Sequence, residues 1–312
     1  MDFVVTHPLD PDDAKIVGFI RAGSRAGKGK LQSSIQARGQ FDALMEGVLP
    51  RDDVTFEAAI LGGILGIWVN PTSSRPDEVI LHLHGGWFNF GSAKAYRHLV
   101  GHIAARASAR AFIPDYRLAP EHPFPAAFDD AMACYRGLGK SGVRRIAVTG
   151  DSAGGDLALV LASQARGEAA SGKAVLVGVA ALSPVTDLTL SGESYATRAD
   201  VDPFFTREQV AEFVRSYLGG VGPRHPLASP LYGPLSGLPP VRIHVGDDEV
   251  LLDDSRRYVE RAAGAGVDAR LDVWMGMPHG FQTSVGKIKA AAQSLDEIGG
   301  FLTERLQAHA SP

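Results

Sequence analysis

A chain of 312 residues with 45% hydrophobic side chains can bury a sizeable core, in one large domain or two smaller ones, without covalent staples. Lys and Arg number 31 against 35 Asp and Glu, a formal charge of −4 with no block of like charge, which excludes the usual signature of a nucleic-acid or anionic-membrane binder and leaves a small molecule as partner. The single cysteine, Cys134, excludes an intrachain disulfide framework and fits a reducing compartment.

The first residues carry no basic, apolar leader, and the longest apolar run, residues 174–183, is too short to span a bilayer. The expectation is therefore a cytoplasmic chain without stable membrane insertion; a homo-oligomer is compatible with it. Residues 1–50 read as amphipathic helices at 14–22 and 32–46, with Ile35, Phe41, Leu44 and Met45 as apolar positions. Lying ahead of the first strand signals, this segment is either a structural arm or a cap over a site.

Residues 51–312 read as the core. Strands at 54–59 and 65–69 flank Gly62-Gly63 and form an antiparallel pair. An alternation follows: strand 79–83, helix 93–107, strand 111–114, helix 126–138, strand 145–149, a helix through 157–162, then strands at 176–182, 241–245 and 271–274. Strands separated by helices imply right-handed crossovers and an α/β fold, a mostly parallel sheet with helices on both faces, whose chemistry gathers at the strands' carboxyl ends. The stretch between residues 182 and 241 exceeds what one crossover needs. Residues 206–218 read as a helix capped by Thr206, and prolines break up the remainder, so about 186–235 is expected to be a second cap element.

Gly150-Asp151-Ser152-Ala153-Gly154 is a G-x-S-x-G between a strand and a helix, a turn that lifts a serine hydroxyl above a sheet. Directly after strand 79–83 comes His84-Gly85-Gly86-Trp87, where successive glycines let backbone amides approach a ligand. Gly85, Gly86 and Ala153 are thus candidate oxyanion donors. Trp87, Phe88 and Met45 are candidate pocket residues. The chain order of a hydrolase built this way is serine, acid, histidine. His279, in a loop after strand 271–274, is the candidate base, since the later His309 sits in a polar tail. After strand 241–245 stand Asp247, Asp248 and Glu249, any of which could orient that histidine. Asp253 and Asp254 precede helix 255–263 and are expected to cap it. His98 and His102 are four apart on a helix, but without the glutamate of H-E-x-x-H they indicate no metal, and no cofactor motif is present.

Together these motifs resemble the hormone-sensitive-lipase-like branch of the α/β-hydrolases, the bacterial family IV esterases. Residues 84–87 resemble its H-G-G-G, 115–121 its D-Y-R-L-A-P-E, 150–155 its G-D-S-A-G-G, and 279–281 its H-G-F. The resemblance implies the α/β-hydrolase fold with a helical cap, a Ser152 nucleophile and a His279 base, with residues 115–121 as a structural loop behind the site. Sliding the family's D-P-L-x-D-E onto residues 249–254 places the acid on Glu249, and the same wording resembles bacterial lactone hydrolases of terpene breakdown. Trp87 in place of the third glycine implies a narrower, more aromatic pocket. The activity implied is hydrolysis of short acyl esters or lactones through an acyl-enzyme. An amidase or peptidase on the same triad, or a receptor that has lost catalysis, are the alternatives.

Overall fold

Nine strands form one sheet in the computed structural model, which describes residues 3–30, 35–166 and 174–308. In chain order they are β1 (Val4–His7), β2 (Val54–Leu61), β3 (Ile64–Pro71), β4 (Arg75–Leu83), β5 (Ala109–Pro114), β6 (Arg145–Asp151), β7 (Val175–Leu182), β8 (Val241–Gly246) and β9 (Ala269–Trp274). Across the sheet the order is β1-β9-β8-β7-β6-β4-β5-β3-β2. The pairs β2/β3 and β3/β5 are antiparallel and every other pair is parallel. Parallel neighbours need crossovers, and these are supplied by helices on both faces.

The helices are α1 (Pro11–Ser24), α2 (Arg38–Glu46), α3 (Ala93–Ala107), α4 (Ala126–Lys140), α5 (Ala153–Ala165), α6 (Ser194–Thr197), α7 (Arg207–Leu218), α8 (Leu252–Gly264) and α9 (Lys289–Gln307). One apolar cluster gathers α3 and α9 with Val69, Ile80 and Ala147 of the sheet. A second, on Leu81, Val148 and Ile243, takes in α4, α5, α7 and α8. In α5 all of Leu157, Leu159, Val160 and Leu161 are buried, so this helix is apolar on every side, and each such side chain contributes about 1.5–3 kcal/mol.

The expected helix at 14–22 is α1. Of the expected helix at 32–46, residues 32–34 lie outside the described residues, as does His309, and the rest is a turn of 3₁₀ helix followed by α2. β1 and α9 are additions to the sequence reading. Between β7 and β8 lie α6, α7 and a 3₁₀ turn at Pro230–Tyr232. α7 starts where Thr206 Oγ1 accepts the Gln209 amide (3.2 Å) and stops at Gly219 in the left-handed region.

The carboxyl ends of the central strands are in register. Leu83 lies opposite Gly150, Asp151 opposite Leu182, and Leu182 opposite His244. Segments leaving β4, β6, β7 and β8 therefore emerge side by side.

Candidate active site

Ser152 stands between β6 and α5 with φ 52° and ψ −120°, a conformation that costs a non-glycine residue about 1–3 kcal/mol. Its surroundings hold it there. The Ser152 amide donates to Leu182 O (2.8 Å), while Ser152 O accepts from Val185 (3.1 Å) and Asp156 (3.2 Å). Two glycines make the tight turn: a Cβ on Gly154 would run into the Leu83 carbonyl, and one on Gly150 into the Gly154 carbonyl.

The three acids after β8 have three different partners. Glu249, fully buried, places Oε2 2.6 Å from His279 Nδ1, and its Oε1 accepts from the Gly246 amide and the Ser183 hydroxyl, both at 2.7 Å. Asp248 pairs with Arg21 of α1, and Asp247 with Arg198 beside α6 (3.2 Å). Ser183 follows β7 and so adjoins the Ser152 turn, which brings serine, acid and histidine to neighbouring strand ends. Burial pushes the His279 imidazole down, but the charge and hydrogen bond of Glu249, with Asp202 and Asp151 behind, outweigh it and leave the pKa raised.

The Gly85 amide donates to Asp151 Oδ1 (3.0 Å), and Tyr96 OH holds the other oxygen of that carboxylate (3.1 Å). This corrects the expectation for Gly85, whose N–H is already engaged by a carboxylate and is not free for an oxyanion. The turn is braced from behind by the 115–121 loop: Tyr116 OH donates to His84 O (2.7 Å), and the Ala119 amide to Phe88 O (2.9 Å). His84 is buried and stacked on Tyr116, and burial drops its pKa to about 4, so it is a neutral structural ring.

Of the candidate pocket residues, Trp87 meets Phe205 edge-to-face at 5.4 Å and Phe213 at 6.0 Å. Phe88 is instead spent on packing, its ring stacked at 3.7 Å on Tyr217 of α7. Met45 belongs to the cluster of α3 and α9, and Trp87 and Ala153 to the other. Phe205 and Asp202 were not legible as site residues. The Phe205 ring sits edge-to-face on His279 at 5.3 Å, and Asp202 binds the Phe204, Phe205 and Val250 amides. Only the position of Phe205 ahead of the Thr206 cap hinted that the aromatic pair 204–205 faces inward.

Asp253 and Asp254 stand in the first turn of α8, where they compensate its dipole, but they do not cap it, since the N-cap is Leu251. Asp253 accepts the Ser194 amide (2.8 Å) and Asp254 the Thr186 and Asp187 amides (2.7 and 2.9 Å), so both fasten the 186–235 stretch to the core. His102 is engaged with Leu49 O and Arg106. Among the described residues one group has metal-ligand spacing, His7, Asp272 and Glu297, but the Arg270 guanidinium already bridges both carboxylates (2.5 and 3.1 Å). A cleft of about 640 Å³ beside it, lined by His7, Leu9 and Trp274, includes none of the residues around Ser152. No helix among the described residues is long and apolar enough to cross a membrane.

The model of a family described as alpha/beta hydrolase fold matches residues 80–283. An acetyl-hydrolase of Streptomyces hygroscopicus is 37% identical over 258 residues, covering 82% of this chain and 83% of its own. An esterase of Acinetobacter venetianus is 35% identical over 246 residues, 78% of this chain and 80% of its own. Among solved structures, an esterase from the bacterial hormone-sensitive lipase family superposes with a TM-score of 0.87 at 38% identity, over 96% of this chain and 100% of that one.

Proposed function

The chain belongs to the alpha/beta-hydrolase fold family, in its hormone-sensitive-lipase-like esterase branch, and is a carboxylic ester hydrolase; we propose that it cleaves short-chain acyl esters or lactones through an acyl-enzyme on a Ser152-Glu249-His279 triad. The observation that carries this reading is the Glu249 carboxylate. One oxygen takes His279 Nδ1, and the other is saturated by the Gly246 amide and the Ser183 hydroxyl. A carboxylate on Nδ1 fixes the proton there and leaves the Nε2 lone pair free to act as base.

Ser152 Oγ attacks the acyl carbon while His279 Nε2 takes its proton, and the carbonyl oxygen becomes an oxyanion. The Gly86 and Ala153 amides are the proposed donors to it; Gly85, bound to Asp151, holds the turn. Collapse expels the alcohol, which receives the proton from His279, and leaves the acyl group on Ser152. Water, deprotonated by the same imidazole, then attacks the acyl-enzyme and releases the acid and the free serine. With a lactone, acid and alcohol leave as one hydroxy acid. Residues 1–50 and about 186–235 are proposed as the cap, supported by the Arg21–Asp248 and Arg198–Asp247 pairs that tie both pieces to the acid turn.

Ser152→Ala tests the reading. The variant should fold as wild type and lose roughly a millionfold in kcat on p-nitrophenyl acetate, and a fluorophosphonate should label wild type only. Near-full activity, or labelling at another residue, defeats the mechanism. Lactones and one anilide in the same assay rank ester, lactone and amide.

A further inference from the structure

A side chain packed on the base, on the side away from its carboxylate, can bound the space the alcohol leaves through. In the proposed mechanism His279 must hand its proton to the leaving oxygen, so the alcohol portion has to lie within hydrogen-bond reach of that ring. The Phe205 ring stands edge-to-face on His279 at 5.3 Å and 75°. It also meets Trp87, at 5.4 Å and 84°, and Trp87 directly follows Gly86. Phe205 thus spans from the residue beside the proposed oxyanion donors to the base. Phe205 is only partly buried, although Trp87 on one side is 2% exposed.

The backbone that carries the ring is held from three directions. Asp202, 1% exposed, accepts the amides of Phe204 (2.8 Å) and Phe205 (3.0 Å) on one oxygen. Its second oxygen accepts the Val250 amide (2.9 Å), next in sequence to Glu249. From the N-terminal side, Lys28 Nζ binds the carbonyls of Ala199 and Asp202, and the Gly29 amide binds Phe204 O (3.3 Å). On the C-terminal side Thr206 caps α7. A loop fixed in this way presents a wall that a branched substituent cannot push aside without breaking buried hydrogen bonds.

We propose that Phe205 is a specificity-determining residue for the alcohol side of the ester, closing the leaving-group space against branched alcohols, and that Asp202 is the positioning residue that holds it there. The proposal rests on reading His279 as the proton shuttle. It separates the two sides of the substrate, assigning Phe205 to the alcohol and not to the acyl chain.

Two substrate series test it. One holds the acyl group as acetate and varies the alcohol from ethyl through phenyl to tert-butyl. The other holds p-nitrophenol and lengthens the acyl chain from acetate to octanoate. Phe205→Ala should raise kcat/KM for tert-butyl acetate relative to ethyl acetate by at least about tenfold, with the acyl-length profile keeping its shape within about threefold. Phe205→Leu should fall between, and Asp202→Ala should shift the alcohol ratio in the same direction by less. Ratios measured on one preparation are independent of the fraction folded, so a destabilised variant still reports. An acyl profile that moves while the alcohol ratio stays, or neither moving in both Phe205 variants, overturns the proposal. If wild type cleaves no ester, or Ser152→Ala cleaves as well as wild type, the esterase mechanism itself fails and takes the proposal with it.

Discussion

At the scale of single residues, Asp247, Asp248 and Glu249 show how three adjacent carboxylates acquire different work. Position alone left all three open and only the register of the family resemblance pointed to Glu249, because a strand-end acid is legible from position while its partner is not. The turn is laced to the histidine loop by the Asp247 amide on Trp274 O (2.9 Å) and the Asp248 amide on Met277 O (3.1 Å), and the longer glutamate side chain then makes the contact with His279. Glu249→Gln should lose at least about a thousandfold in kcat, whereas Asp247→Asn and Asp248→Asn, which pair with arginines, should stay within about tenfold. The pH profile gives a second readout. Glu249 is what overcomes the burial of His279, so the acid limb of kcat/KM should lie above the ordinary imidazole value near 6.5 in wild type and move to lower pH in the residual activity of Glu249→Gln. An inactive Asp248→Asn beside an active Glu249→Gln would put the acid one residue earlier. Gly85 is the converse lesson: Gly-Gly after a strand was legible as an amide-rich turn, but which amide is free depended on the Asp151 side chain, and no spacing rule predicts that.

At the scale of elements, α5 was legible as a buried helix from its apolar run at 157–162, yet the turn just ahead of that run carries a carboxyl group that breaks the pattern. Asp156 is fully buried in the first turn, and neither side-chain oxygen has a hydrogen-bond partner among the described residues. Burial, reinforced by Asp254, raises its pKa well above the usual carboxylate range. The sign follows directly. A carboxyl whose folded pKa is raised contributes its stability below the unfolded value near 3.8, and that contribution is lost as pH rises towards the folded value. Asp156→Asn does not titrate, so its stability relative to wild type should grow from about pH 4 upwards. Urea midpoints of both proteins at pH 4 and pH 7 check this, and an asparagine variant that loses ground to wild type between pH 4 and pH 7 would overturn it. The 186–235 stretch was equally half-legible. Its length and the Thr206 cap announced α7, while α6 and the anchoring by Asp253 and Asp254 depend on contacts between segments about sixty residues apart that local patterns do not encode.

At the scale of the whole molecule, the parallel core was readable because alternation of strand and helix constrains topology, and the ends of the chain were not. β1 is four residues long and earns its place only by pairing with β9, where His7 stacks on Trp274 at 3.8 Å. α9 carries a regular apolar stripe, Ala291, Leu295, Ile298, Leu302 and Leu306, whose helical period is present in the sequence. Its start has no cap of its own: Ile288 offers no side-chain acceptor. The cap comes from the other end of the chain. Asp13 of α1, 1% exposed, accepts the Lys289 and Ala290 amides, both at 2.8 Å, so the N-terminal segment closes the C-terminal helix. This decides what the first helix does in addition to any role as a cap. If it is an arm of the fold, Asp13→Ala should lower stability by about 1–2 kcal/mol, a few degrees in Tm, because two buried amides lose their acceptor. Asp13→Asn should cost less than Asp13→Ala, since an amide oxygen can still take one of the two bonds. The same variants should leave kcat and KM on p-nitrophenyl acetate within about threefold, as both amides bond to Asp13 and not to a residue of the proposed triad. A segment that served only to cover the site would give the opposite pair of results, altered KM with unchanged Tm, and calorimetry beside steady-state kinetics on the two variants separates them.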